Sequence, residues 1–76
     1  MKINAINIDP EIMGGTPVFM GTRVPVESLF QWLETETLKE FLENFPGVSK
    51  EQVKEVLEAA GKLITSEKIL HEDFAG

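Results

Sequence analysis

Three short stripes of apolar residues with helical spacing constrain the fold of this chain more than any other feature. In each stripe the apolar side chains recur at i, i+3, i+4 and i+7, which places them on one face of a helix. The stripes are Val26, Leu29, Phe30 and Leu33; Leu38, Phe41, Leu42 and Phe45; and Val53, Val56, Leu57 and Ala60. Their connections are short, so the three helices must pack against one another to bury these faces.

Residues next to the stripes predict where each helix begins. Pro25 suits the first position of a helix, where its missing N–H needs no partner. Thr37 with Glu40, and Ser49 with Gln52, have the capping-box spacing, in which each side chain bonds the backbone N–H of the other residue. Each cap contributes about 1 kcal/mol to helix stability.

The ends of the second and third helices are marked by proline and glycine. Pro46 ends the second helix because it disfavours helical geometry at Phe45. Gly61 is a candidate C-terminal cap for the third helix. Ile64 continues the third stripe, so the alternative is a helix that runs on by one more turn.

The turn Pro46-Gly47-Val48 gives the second and third helices the pattern of a helix-turn-helix motif. In a DNA-binding protein of this kind, residues at the start of the second helix of the motif meet the base edges. Gln can pair with adenine, and Lys can reach guanine or phosphate. Arg23, in a turn ahead of the first helix, is a further candidate for contact with phosphate. The candidate DNA-binding residues are therefore Arg23, Ser49, Lys50, Gln52 and Lys54.

The charge of the chain opposes DNA binding. The formal net charge is −6 at pH 7, whereas contact with phosphates favours an excess of positive charge. The third helix also carries Glu51, Glu55 and Glu58. Two interpretations of this helix therefore stay open: it contacts DNA, or it presents a solvated polar face.

The first third of the chain predicts a β-hairpin-like arm. Residues 3–8 form an imperfect apolar–polar alternation, and residues 17–20 allow a second short strand. Turns are predicted at Asp9-Pro10, Gly14-Gly15-Thr16-Pro17 and Gly21-Thr22-Arg23. We expect one mainly α domain over residues 1–76, with a β arm at 1–24, a three-helix core at 25–64 and a tail at 65–76.

Several side chains are candidates for contact with a partner protein. Trp32 lies off the first stripe, so it covers the edge of the core or anchors a partner. The tail carries Ile69, Leu70 and Phe74 among charges, and these need a surface on this domain or on a partner. Arg23, the only arginine, contacts a phosphate or partner, or pairs with a carboxylate such as Asp9 or Glu27.

Composition excludes several classes of function. The chain of 76 residues has no cysteine, so disulfides, thiolate metal sites and thiol catalysis are excluded. His71 is the only histidine and has no second ligand set at metal spacing. We predict no enzyme, no metal and no cofactor. A domain this small buries only about 60% of its unfolded surface, so we expect a homodimer or a partner protein.

The beginning of the chain alternates apolar and polar residues rather than forming the apolar block of a signal peptide. No apolar run approaches the roughly 20 residues that span a bilayer. The expectation is a cytoplasmic protein with no membrane association.

Residues 15–26, Gly-Thr-Pro-Val-Phe-Met-Gly-Thr-Arg-Val-Pro-Val, resemble the signature of a small prokaryotic family, domain of unknown function 433. The lead-in at 9–14 and the later segment around 38–53 are also similar, so the resemblance covers about residues 8–60. Thr16 and Met20 stand where the family usually has Lys and Arg. These departures remove positive charge from the arm.

The resemblance implies a winged-helix or homeodomain-like fold, with a β arm ahead of three helices. It also implies an antitoxin of a prokaryotic type II toxin–antitoxin pair, which binds a PIN-like ribonuclease toxin and its own operator DNA as a dimer. The alternative is an acidic protein-interaction module that has the helix-turn-helix shape without DNA binding.

Overall fold

The computed structural model describes residues 3–66 and places a two-stranded sheet ahead of three helices. Strands β1 (Ile6–Asn7) and β2 (Val18–Phe19) pair antiparallel, with Ile6 opposite Phe19. The helices are α1 (Val26–Leu33), α2 (Leu38–Asn44) and α3 (Lys50–Ile64). The prediction of a mainly α chain with a short β arm is therefore confirmed.

Both strands are shorter than the segments 3–8 and 17–20 predicted for them. After β1, the Asp9 carboxylate accepts a hydrogen bond from Glu11 N at 2.9 Å, which turns the chain. A short 3₁₀ helix, Met13–Gly15, follows, and its three residues have φ of 50°, 66° and 91°. Backbone in this left-handed region cannot continue a strand.

The caps of α2 and α3 differ in a way that the sequence did not predict. At α3, Ser49 Oγ accepts from Gln52 N at 3.1 Å and Gln52 Oε1 accepts from Ser49 N at 2.9 Å, so this capping box is confirmed. At α2, Thr37 Oγ1 accepts from Glu40 N, but the Glu40 carboxylate accepts from the Thr37 hydroxyl at 3.1 Å. The prediction of a complete box there was wrong, because the carboxylate accepts from the Thr37 hydroxyl instead of from the Thr37 backbone N–H.

Pro25 is the N-cap of α1 and not its first helical residue, which corrects the prediction. Its backbone is extended, with φ −61° and ψ 138°, and it forms a β-bridge with Val18. Val26 N donates to Pro17 O at 3.0 Å. These contacts to the arm hold Pro25 extended until the helix begins.

Gly61 lies inside α3, which runs on to Ile64. The helix closes where Thr65 N and Thr65 Oγ1 both donate to Gly61 O, at 3.0 and 2.8 Å. Of the two alternatives for this end, the longer helix is the one observed.

The core joins the arm to all three helices. Phe41 of α2 is fully buried and its ring centre lies 6.2 Å from that of Phe19 on β2. The other buried members of this cluster are Ala5, Val26, Leu29, Val48, Val53 and Val56. The helical stripes therefore face a common core, with the exceptions of Phe30, which is 40% exposed, and Ala60, which lies outside the core cluster.

Candidate functional site

The turn between β2 and α1 has internal structural roles at most of its positions. Gly21 has a φ of +80°, which favours glycine. Thr22 Oγ1 donates to Phe19 O at 2.8 Å and accepts from Val24 N at 3.0 Å, so its side chain fixes the turn. Phe19 N donates to Val24 O at 2.9 Å and closes it.

Arg23 is the exception in this turn. Its side chain is exposed, and within residues 3–66 it forms no hydrogen bond or ion pair, with Asp9 and Glu27 included. The proposed pairing with those carboxylates is therefore not seen. The fold leaves the guanidinium available to a ligand or partner.

The same turn packs beside the start of α3. Gln52 Nε2 donates to Met20 O at 3.0 Å across 32 residues of sequence. A Cβ added at Gly47 would lie 3.4 Å from the γ-methyl of Thr22, close to van der Waals contact, so the turn at Gly47 lies against the turn at Thr22. The arm therefore orients the turn of the helix-turn-helix motif.

Two of the DNA-binding candidates are committed to contacts within the chain. Ser49 and Gln52 cap α3, and both ends of the Gln52 amide are hydrogen-bonded. Because bidentate pairing with adenine uses both ends of an amide, these internal bonds compete with that role for Gln52.

Lys50 and Lys54 are exposed and line a groove of about 360 Å³ between α2 and α3. They are four residues apart and share one face of α3, whereas Gln52 is roughly 200° around the helix from either. The Gln52 side of α3 holds the turn that carries Arg23. The structure thus does not gather the five DNA-binding candidates on a single face.

Gln52→Ala should lower the free energy of unfolding by about 1–3 kcal/mol, because it removes half of the capping box and the bond to Met20. Lys54→Ala is the matched control on the same helix and should stay within about 0.5 kcal/mol of the parent. Urea denaturation measures both. Equal stabilities for the two variants would mean that the Gln52 amide is not structurally committed.

A second, larger groove of about 480 Å³ lies between the arm, α1 and the end of α3. Phe30 of α1 and Leu63 of α3 line it, with exposed fractions of 40% and 62%. The remaining lining residues are Ile3, Ile6, Val26, Val56, Ala59, Ala60, Lys62 and Ser66. We call this surface the apolar groove.

The apolar groove arises from a mismatch of helix lengths. The 15 residues of α3 span about 22 Å, whereas the 8 residues of α1 span about 12 Å. The last turns of α3 therefore extend past the cover that α1 provides. Phe30 was predicted in the core and is instead on this open side. In the sequence, the continuation of the third apolar stripe to Ile64 indicated this additional length of α3.

Trp32 packs on the opposite side of α1, at the edge of the core. Its ring lies edge-on to Phe41 at 6.3 Å and to Phe45 at 5.6 Å. The indole Nε1 is buried and donates no hydrogen bond to residues 3–66. The first of the two alternatives for Trp32, cover for the core edge, fits this position. The other partner-binding candidates, Ile69, Leu70 and Phe74, and His71, lie outside the described residues.

Two neighbouring carboxylates interact at the surface near the start of α2. Hydrogen bonding with Glu40, and then the like charge of that carboxylate, raise the pKa of Glu36. Both side chains are exposed on the surface. Across residues 3–66, no three His, Cys, Asp or Glu side chains cluster closely enough to hold a metal. None of the helices in this range is long and apolar enough to cross a bilayer.

Comparison with known proteins places these features in context. The family model described as protein of unknown function (DUF433) matches residues 6–59. A crystal structure of a DUF433 member protein from Anabaena variabilis ATCC 29413 is 30% identical, with a TM-score of 0.67. The similarity covers 91% of this chain and 67% of that one. No curated protein matches the chain.

Proposed function

The chain belongs to the DUF433 family, a family of unknown function, and from this premise we propose that it is an antitoxin-like protein. In this proposal it binds a PIN-like ribonuclease toxin and has no catalytic activity of its own. The resemblance of its Gly-Thr-Arg-Val-Pro-Val block to antitoxin-like proteins supports the class of partner.

The apolar groove is the observation that carries the proposal. An exposed apolar surface of this size on a small acidic chain favours contact with another protein. Phe30 and Leu63 would fill pockets of the toxin, and Arg23 offers an unpaired guanidinium for its carboxylates.

Co-expression tests the partnership. The proposal predicts a PIN-like ribonuclease in the reading frame beside this gene. That ribonuclease is expected to arrest growth when produced alone, and the chain is expected to restore growth. Phe30→Asp should lose this rescue, whereas Ile8→Asp, at a more exposed apolar position outside the groove, should keep it. Rescue by both variants, or by neither, would count against the groove as the toxin-binding surface.

Operator binding by a dimer is the second part of the proposal, and an acidic protein-interaction module without DNA binding is its alternative. Exposed Arg23, Lys50 and Lys54 support DNA contact. The net charge of −6 and the internal bonds of Ser49 and Gln52 favour the alternative.

A salt titration with the DNA upstream of the gene decides between these two. If Arg23, Lys50 and Lys54 each neutralise a phosphate, the log–log slope of affinity against salt should be about −3 per chain. Arg23→Gln should reduce the magnitude of that slope by about 1, while Arg23→Lys should retain it. Absence of binding at low salt would establish the protein-only alternative.

A further inference from the structure

The apolar groove ends where the described chain ends. Ser66, the last described residue, lines the groove together with Leu63. The ten residues that follow, 67–76, include Ile69, Leu70 and Phe74. A segment with three large apolar side chains therefore follows directly from the edge of the apolar groove.

We propose that residues 67–76 dock into the apolar groove of their own chain and shield it from solvent. Ten extended residues reach about 33 Å, enough to cross the groove in either direction. A short tether holds the segment at an effective concentration in the millimolar range, so even weak contacts fill the groove.

Charge supports the same occupant. Lys62 is the one charged side chain among the residues that line the groove. The segment 67–76 carries Glu67, Glu72 and Asp73 against a single lysine, Lys68. The excess negative charge of this segment is therefore complementary to the positive charge of Lys62 at the groove. A second copy of this acidic chain would bring its own net charge of −6 to the contact.

Docking of the segment would make the groove a regulated surface. This consequence, unlike the docking itself, rests on the proposed function. A toxin that contacts Phe30 must displace residues 67–76, and the released Ile69, Leu70 and Phe74 become available to the toxin. Such exchange lowers the apparent affinity of the free chain for its partner.

A double-mutant cycle on the full chain tests the docking without any toxin. Leu63 and Ile8 are 62% and 64% exposed in the described residues, so they are a matched pair of open apolar positions. If residues 67–76 cover Leu63, Leu63→Gln should lower Tm by roughly 4–8 °C, whereas Ile8→Gln should change it by less than about 2 °C. In a chain with Ile69→Ser, Leu70→Ser and Phe74→Ser, Leu63→Gln should have no further effect.

Each other outcome overturns the proposal. Equal effects of Leu63→Gln and Ile8→Gln would mean that nothing covers the groove. An effect of Leu63→Gln that persists in the triple variant would mean that the segment is not the cover. An effect that grows with protein concentration would identify a second copy as the occupant. None of these results depends on the toxin, so failure here is distinct from failure of the antitoxin proposal.

Discussion

Phe41→Ala is expected to lower the free energy of unfolding by about 3–5 kcal/mol. The Phe41 side chain is fully buried, and its ring contacts Phe19, Trp32 and Phe45 at centre distances of 6.2, 6.3 and 4.8 Å. The substitution removes these contacts and leaves a cavity between the arm and two helices. Because small domains are stable by only about 5–15 kcal/mol, much of the stability would be lost.

Phe30→Ala is the matched control for this prediction, since Phe30 lies in the apolar groove and is 40% exposed. We expect a smaller cost, about 1–2 kcal/mol, because less of the ring is removed from water. Chemical denaturation followed by circular dichroism compares the two variants. If Phe30→Ala proved as destabilising as Phe41→Ala, the assignment of core and open side would be wrong.

Two substitutions of glycine by alanine are expected to change the free energy of unfolding in opposite directions. Gly21 has a φ of +80°, so Gly21→Ala should cost about 1–2 kcal/mol of backbone strain. Gly61 lies inside α3, so Gly61→Ala should stabilise the chain by about 0.5–1 kcal/mol through helix propensity. A Cβ at either position meets nothing within 4 Å, which leaves backbone conformation as the difference.

Thermal unfolding of the two variants measures this contrast directly. Gly21→Ala should melt below the parent chain, and Gly61→Ala should melt above it. A Tm of Gly21→Ala at or above that of the parent would contradict the left-handed turn that places Arg23. A Tm of Gly61→Ala below that of the parent would contradict the continuation of α3 through that position.

Local sequence patterns were sufficient to predict the three helices and the complete capping box of α3. The stripes at i, i+3, i+4 and i+7 depend only on helix geometry, and the Ser49–Gln52 box depends on residues three apart. The complete box predicted at Thr37 did not form, because the Glu40 carboxylate accepts from the Thr37 hydroxyl and not from the Thr37 backbone N–H. Residue spacing alone does not determine which donor a carboxylate accepts from.

Positions that depend on distant segments could not be predicted in the same way. Phe30 and Trp32 are two residues apart, and which of them faces the core depends on where α2 and α3 lie around α1. Gln52 was predicted to contact DNA because it lies in the first turn of α3. Its side-chain amide instead donates a hydrogen bond to Met20 O, 32 residues away in the sequence. Glu55 likewise accepts from Asn4 N at 2.6 Å, across 51 residues. Such contacts follow from tertiary packing alone.

Calorimetric titration of the full chain into a PIN-like ribonuclease, sought in the reading frame beside its gene, tests the proposed partnership. We expect a stoichiometric complex that stops RNA cleavage, with affinity reduced at least tenfold by Phe30→Asp and retained by Ile8→Asp. It also predicts a negative heat-capacity change on binding, because the groove becomes buried. Absence of binding to such a ribonuclease would refute the antitoxin proposal, and a complex whose affinity Phe30→Asp leaves unchanged would refute the apolar groove as its binding surface.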